Sequence, residues 1–127
     1  MFDWWILNGD RGLGERGGNV NLILDPKGCL AVIDHNVAFD PTLSIDEFRQ
    51  YHVFRDQLGS FEGQLLARLD YLPQLDAALG DWGRITSLLP EEWVYREPLI
   101  GDETEPTLAQ RRQILERFKE EQFWGQL

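Results

Sequence analysis

The sequence predicts a mainly helical α+β domain with one short β-hairpin, and three observations carry that reading. The 127 residues are 43% hydrophobic and include five Trp and seven Phe, enough apolar mass for one modest core. Two short apolar runs, Asn21–Leu24 and Cys29–Ile33, flank Asp25-Pro26-Lys27-Gly28, whose Pro and Gly positions suit a type I turn between strands. From Ser44 onward, apolar residues recur at helical spacing behind capping residues. Residues 1–127 therefore read as one domain, with loops and hairpin over 2–39 and helices over 44–127.

Phe2 to Leu7 is an apolar segment too short for periodicity to separate a strand from the last turns of a helix. Its bulky side chains need a partner surface. Either they contact another copy or a separate lobe, or the C-terminal helix folds back so that Phe118, Phe123 and Trp124 cover them. Asn8 to Asn19 is a polar loop with five glycines. After the hairpin, Ser44-Ile45-Asp46-Glu47 is a capping box opening a helix to about Leu58, stopped by Gly59. Further helices are expected at Phe61 to Leu69, Tyr71 to Leu79, Asp81 to Leu88, and from Pro90 or Glu91 to about Tyr95. Glu97 to Pro106 reads as a loop. Thr107-Leu108-Ala109-Gln110 then caps a final helix with a buried stripe of Leu108, Leu115, Phe118 and either Gln122 or Phe123.

Charge excludes several function classes. With 12 basic and 22 acidic residues the formal net charge is −10, which disfavours binding to nucleic-acid phosphates and to anionic membrane surfaces. No apolar run approaches the roughly 20 residues of a membrane span. The opening Met1-Phe2-Asp3-Trp4-Trp5 has no basic leader, so a signal peptide is not expected. Cys29 is the only cysteine, which fits a reducing cytoplasm.

Two motifs invite chemistry and are set aside. Gly12-Leu13-Gly14-Glu15-Arg16-Gly17 matches G-x-G-x-x-G, but a strand follows it rather than the helix whose amides would meet a pyrophosphate. Nor does it work as a kinase phosphate-covering loop, because Lys27 sits in a turn and not on the next strand. His35 and His52 lack metal-ligand spacing, and His52 reads as a half-buried helix residue.

A stronger constellation is Asn8-Gly9-Asp10-Arg11, then Asn21-Leu22-Ile23-Leu24, then Ile33-Asp34-His35. Phosphoryl transfer from ATP needs an Asp to orient the acceptor hydroxyl and take its proton, and an Asn and a second Asp to hold magnesium. A hairpin mounts the last two well, since its entrance and exit return to the same end. Taken singly, Asp10 and Asn21 also read as turn formers and Asp34 as a cap.

These segments, with Gly18-Asn19-Val20 before the first strand and Asn36-Val37-Ala38-Phe39 after Asp34-His35, resemble the catalytic and metal-binding loops of HipA-like kinases. Ser44 to Phe54 is similar to the helix that follows them in that family. The resemblance is good over residues 2 to 54 and thin beyond. It implies part of a kinase C-terminal lobe, with Asp10 as the catalytic Asp, Asn21 and Asp34 as magnesium ligands, and Arg11 beside the phosphates or the acceptor. ATP and Mg2+ are the implied cofactors. One departure is the ten residues between Asp10 and Asn21, where kinases have about four; the insertion leaves Asn19 as the other candidate ligand. Another is that the phosphate-covering lobe and its Lys do not precede Met1. The resemblance therefore implies activity only with a separate chain, a second copy or a longer chain supplying that lobe; a degenerate remnant and a compact module that reuses the fold without catalysis are the other accounts. The rival reading is a noncatalytic acidic interaction module that uses exposed aromatic residues against a basic protein surface. A third, metal-dependent phosphate hydrolysis by Asp10, Asp34 and His35, has too few carboxylates for a two-metal site.

Overall fold

Aromatic residues at both ends of the chain find each other, and this closure organises the fold. The computed structural model describes residues 1–14, 18–58 and 65–126. Helix α1 (Phe2–Trp5) is a single turn, and it buries Trp4 and Trp5 against the last twelve or so residues. Trp4 stacks on Phe123 and Trp5 meets Phe118 edge-on. Both indole N–H groups donate to C-terminal carbonyls, Trp5 to Leu115 at 2.8 Å and Trp4 to Phe123 at 3.3 Å. Arg117 donates to the Trp4 carbonyl at 2.7 Å and lies over the Trp4 ring. Its burial lowers its pKa to about 10, against the opposing pull of Glu120. The N-terminal cluster is thus core. Of Phe2, Trp4, Trp5 and Ile6, expected as a contact surface, only Phe2 is exposed. The chain covers the other three itself, because a domain this small has no better site for so much aromatic surface.

The hairpin forms as the sequence predicts, with β1 (Leu22–Leu24) antiparallel to β2 (Leu30–Val32) and Leu22 opposite Val32. The Gly28 amide donates to the Asp25 carbonyl, and Gly28 takes φ +82, which a side chain would oppose. The Asp25 carboxylate accepts from the amides of Lys27 and Cys29, locking the turn.

The helix expected from Ser44 to Leu58 is two helices, α2 (Ile45–Tyr51) and α3 (Arg55–Leu58). Ser44 caps the first by accepting from the Glu47 amide. The break is at His52, where backbone groups pair outside the helix. Leu13 N–H donates to Tyr51 O and Val53 N–H to Arg11 O. The loop after α1 takes these groups, so the helix cannot continue.

The Gly59 stop and the Phe61 start lie outside the described residues. The helices expected over 61–69 and 71–79 are joined as α4 (Leu65–Gly80), which carries Pro73 in its interior. Pro73 removes one helical hydrogen bond, and burial of Leu75 and Leu79 beyond it holds the second half in place. Helices α5 (Trp82–Thr86) and α6 (Glu91–Val94) fall where expected. A second small hairpin, β3 (Tyr95–Glu97) with β4 (Asp102–Glu103), begins at the end expected for the preceding helix and runs into the loop expected over 97–106, with Gly101 at φ +70 in its turn. Thr107 and Gln110 form the predicted capping box of α7 (Leu108–Glu116) in both directions. The final helix does not run through. It passes into a 3-10 turn at Arg117–Lys119, and Glu120 is extended before α8 (Glu121–Gly125). This break turns Phe118 and Phe123 onto Trp5 and Trp4, which one straight helix would not do. No helix among the described residues is long and apolar enough to cross a membrane. The architecture is mainly helical with small antiparallel sheets, the α+β class predicted.

Candidate active site

Asp3 is a carboxylate in the single turn of α1, between Phe2 and Trp4, and it is buried. A buried charge must be paired. Arg11 pairs with it side-on, Nε to Oδ2 at 2.8 Å and Nη2 to Oδ1 at 3.1 Å. His52 Nε2 lies 3.1 Å from Oδ2, and the Asn8 amide donates to Oδ1 at 3.1 Å. The Phe54 amide donates to His52 Nδ1, so Nε2 is the nitrogen left to carry a proton toward Asp3. Burial is the largest single influence on the Asp3 carboxyl and works to raise its pKa. The hydrogen bonds from His52, Arg11 and Asn8 and the Arg11 charge together outweigh it, holding the carboxyl far below the usual range.

Around this cluster the predicted site residues assemble. Asp10 leaves α1 on the loop begun by Leu7, whose φ is +49, and its carboxylate accepts from the Asn21 side-chain amide at 2.8 Å. An ionised carboxylate only accepts, so Asn21 must present its NH2 to Asp10 and turn its carbonyl oxygen away. Asn21 is buried, and its carbonyl accepts from the Ile33 amide at 3.0 Å, forming the last rung of the hairpin. Asp34 follows that rung directly. Asn21 and Asp34 therefore share one end of the hairpin, and both have left-handed backbone, at φ +46 and +54. Strain of this kind persists only where surrounding contacts over-determine it. Asn19, the other ligand candidate, is exposed, and its side-chain oxygen accepts from the Asn21 amide.

Arg11 is placed differently from the expectation of a phosphate neighbour. Its guanidinium is fully buried. Besides Asp3 it donates to the carbonyls of Asn21 at 2.5 Å and of Val20 and Ile33 at 3.3 Å, and it lies 3.3 Å from His35 Nε2. It sits beneath the hairpin, inside the protein.

The oxygen donors fit a hard cation such as Mg2+: the Asn21 carbonyl turned away from Asp10, and Asp34, which is exposed and has no hydrogen bond among the described residues. No group of three or more His, Cys, Asp or Glu among the described residues could hold a metal. For the G-x-G-x-x-G stretch, residues 15–17 lie outside the described set. Gly12 bridges to His52, and the residues after the motif lead into β1 rather than a helix.

Sequence reading missed Asp3, Asn8 and His52. The signal was a lone carboxylate among tryptophans, which needs a buried cation, and Arg11 is the nearest downstream basic residue.

Comparison with curated proteins and with solved structures returns no match. The protein-family model of the HipA-like kinases matches residues 1–127, the helical half as well as the loops that carry the resemblance, and on that match the chain belongs to the HipA-like kinase family.

Proposed function

We propose that this chain is the catalytic-lobe part of a phosphotransferase that uses ATP and Mg2+. The observation that supports it best is the 2.8 Å bond from Asn21 to Asp10 at the mouth of a hairpin whose other strand ends in Asp34. Asp10 orients an acceptor hydroxyl and receives its proton as the hydroxyl oxygen bonds to the γ-phosphorus and the bond to the β-phosphate oxygen breaks. Asn21 and Asp34 hold the metal, and Asn21 also fixes the Asp10 carboxylate. Bound Mg2+ supplies neutralisation of charge on the phosphates.

The phosphates also need cationic cover from the protein. Lys27 lies in the hairpin turn, Lys119 in the C-terminal 3-10 turn, and Arg11 is buried beneath the site. We assign that cover to a further lobe, in a longer form of this chain, a separate chain or a second copy. The lone exposed thiol of Cys29 suits a reducing setting such as the cytoplasm. The noncatalytic alternative relied on exposed aromatic anchors; Trp4 and Trp5 are buried, and Trp93 and Phe2 are exposed.

Binding of a fluorescent ATP analogue, with and without Mg2+, tests the proposal. Metal-dependent binding that Asp34→Asn abolishes is the expected result. Binding indifferent to both metal and substitution would refute it.

A further inference from the structure

We infer that Asp3 and Arg11 form a positioning pair that sets the geometry of all three site residues at once. The observation is where the Arg11 guanidinium reaches. Arg11 follows Asp10 directly in the chain. Its Nη1 donates to the carbonyl of Asn21 itself and to that of Ile33, the residue before Asp34. One buried side chain, borne by the residue after Asp10, thus touches the backbone at Asn21 and next to Asp34. It does so from beneath the last hairpin rung, where Ile33 N–H meets Asn21 O.

Asp3 makes this arrangement possible in two ways. Its side-on contact fixes the plane of the guanidinium, so that Nη1 is aimed at the two carbonyls and not left to rotate. It also neutralises the cation. An unpaired guanidinium under the hairpin would repel a metal held just above by Asn21 and Asp34. Helix α1 anchors Asp3 through Trp4 and Trp5, and His52 at the end of α2 fixes it from the other side. The pair therefore ties the strained backbone at Asn21 and Asp34 to the hydrophobic core. This inference rests on the assignment of Asn21 and Asp34 as metal ligands, but its first test does not use metal.

Arg11→Lys is the primary variant. Lysine keeps a cation for Asp3 but has no fork to reach Asn21 and Ile33 together. Amide hydrogen exchange of the folded variant should show Ile33 losing protection about tenfold or more while Asp25, whose amide donates to Cys29 at the far end of the ladder, is unchanged. Mn2+ titrated into the 15N-labelled chain gives the second reading, as broadening of the Asn21 and Asp34 resonances. Outer-shell partners of metal sites typically contribute about 10- to 100-fold in affinity, so the midpoint should move by about that much. Asp3→Asn serves where Arg11→Lys does not fold, with the same two shifts expected.

A folded variant with wild-type protection at Ile33 and a wild-type Mn2+ midpoint would overturn the inference. So would loss of the whole fold in both variants, which would make the pair a general core element. Should Asp34→Asn leave the wild-type Mn2+ titration unchanged, the metal assignment fails, and Ile33 protection still decides the positioning role.

Discussion

Asn21 donates its side-chain amide to the carboxylate of Asp10 across eleven positions of sequence, at 2.8 Å. The glycine-rich stretch between them therefore does not separate the Asp10 loop from the strand. Because the side-chain nitrogen is committed to Asp10, the proposed cation contact falls to the Asn21 side-chain oxygen, the backbone carbonyl already accepting from Ile33 and Arg11.

Asn21→Gly should separate the two roles of this residue. Glycine accepts the φ of +46 without the steric cost that other residues meet, which offsets the lost hydrogen bond of about 1 kcal/mol. The melting temperature should change by a few degrees at most, while Mn2+ broadening at Asp34 disappears. A parallel loss of fold and metal response would contradict the assignment.

The chain alone should transfer phosphate poorly. Each missing electrostatic stabiliser can cost on the order of 10²–10³ in rate, and both a phosphate-covering loop and its Lys are needed. Incubation with radiolabelled ATP and a mixed protein substrate should give label near background. Transfer at ordinary kinase rates by these 127 residues would refute the need for a further lobe.

Stability should fall in acid through Asp3. Its folded pKa is depressed, so its contribution is fully present above the unfolded value of about 3.9 and is lost as pH falls toward the folded value. Asp3→Asn should flatten this part of the pH–stability curve, measured by urea unfolding from pH 5 downward. Asp3→Ala should cost about 3–5 kcal/mol at neutral pH by leaving Arg11 buried and unpaired. An unchanged acid limb in Asp3→Asn would show that other carboxylates dominate.

Replacing Trp4 and Trp5 with Ser should lower stability steeply and leave the oligomeric state as it was. Removing one buried Trp side chain typically costs about 3–5 kcal/mol, and here two indole hydrogen bonds go as well. Light scattering beside thermal melting reads both outcomes. Dissociation of an oligomer with the melting temperature intact would restore the contact-surface reading.

Local signals in the sequence located the elements well, and tertiary pairing decided what they missed. Thr107 and Gln110 announced α7 because a capping box is complete within four residues. Asp25-Pro26-Lys27-Gly28 announced the hairpin for the same reason. The break at His52 was not visible, because the groups that end α2 belong to Arg11 and Leu13, some forty residues earlier. Asp10, Asn21 and Asp34 were legible as a set through their order. The inward turn of Arg11 was not, since it depends on Asp3 being buried, and that depends on the far end of the chain.

That last dependence has a consequence for biosynthesis. Helix α1 is one turn long and cannot persist alone. The tryptophans that fix it bind residues up to 119 positions later. As the chain emerges from a ribosome, Asp3 has no settled place until Phe118 and Phe123 have been made. The loop that bears Asp10 is translated before the C-terminal residues that fix its shape, so a nascent chain halted before residue 115 would carry Asp10, Asn21 and Asp34 without their final arrangement.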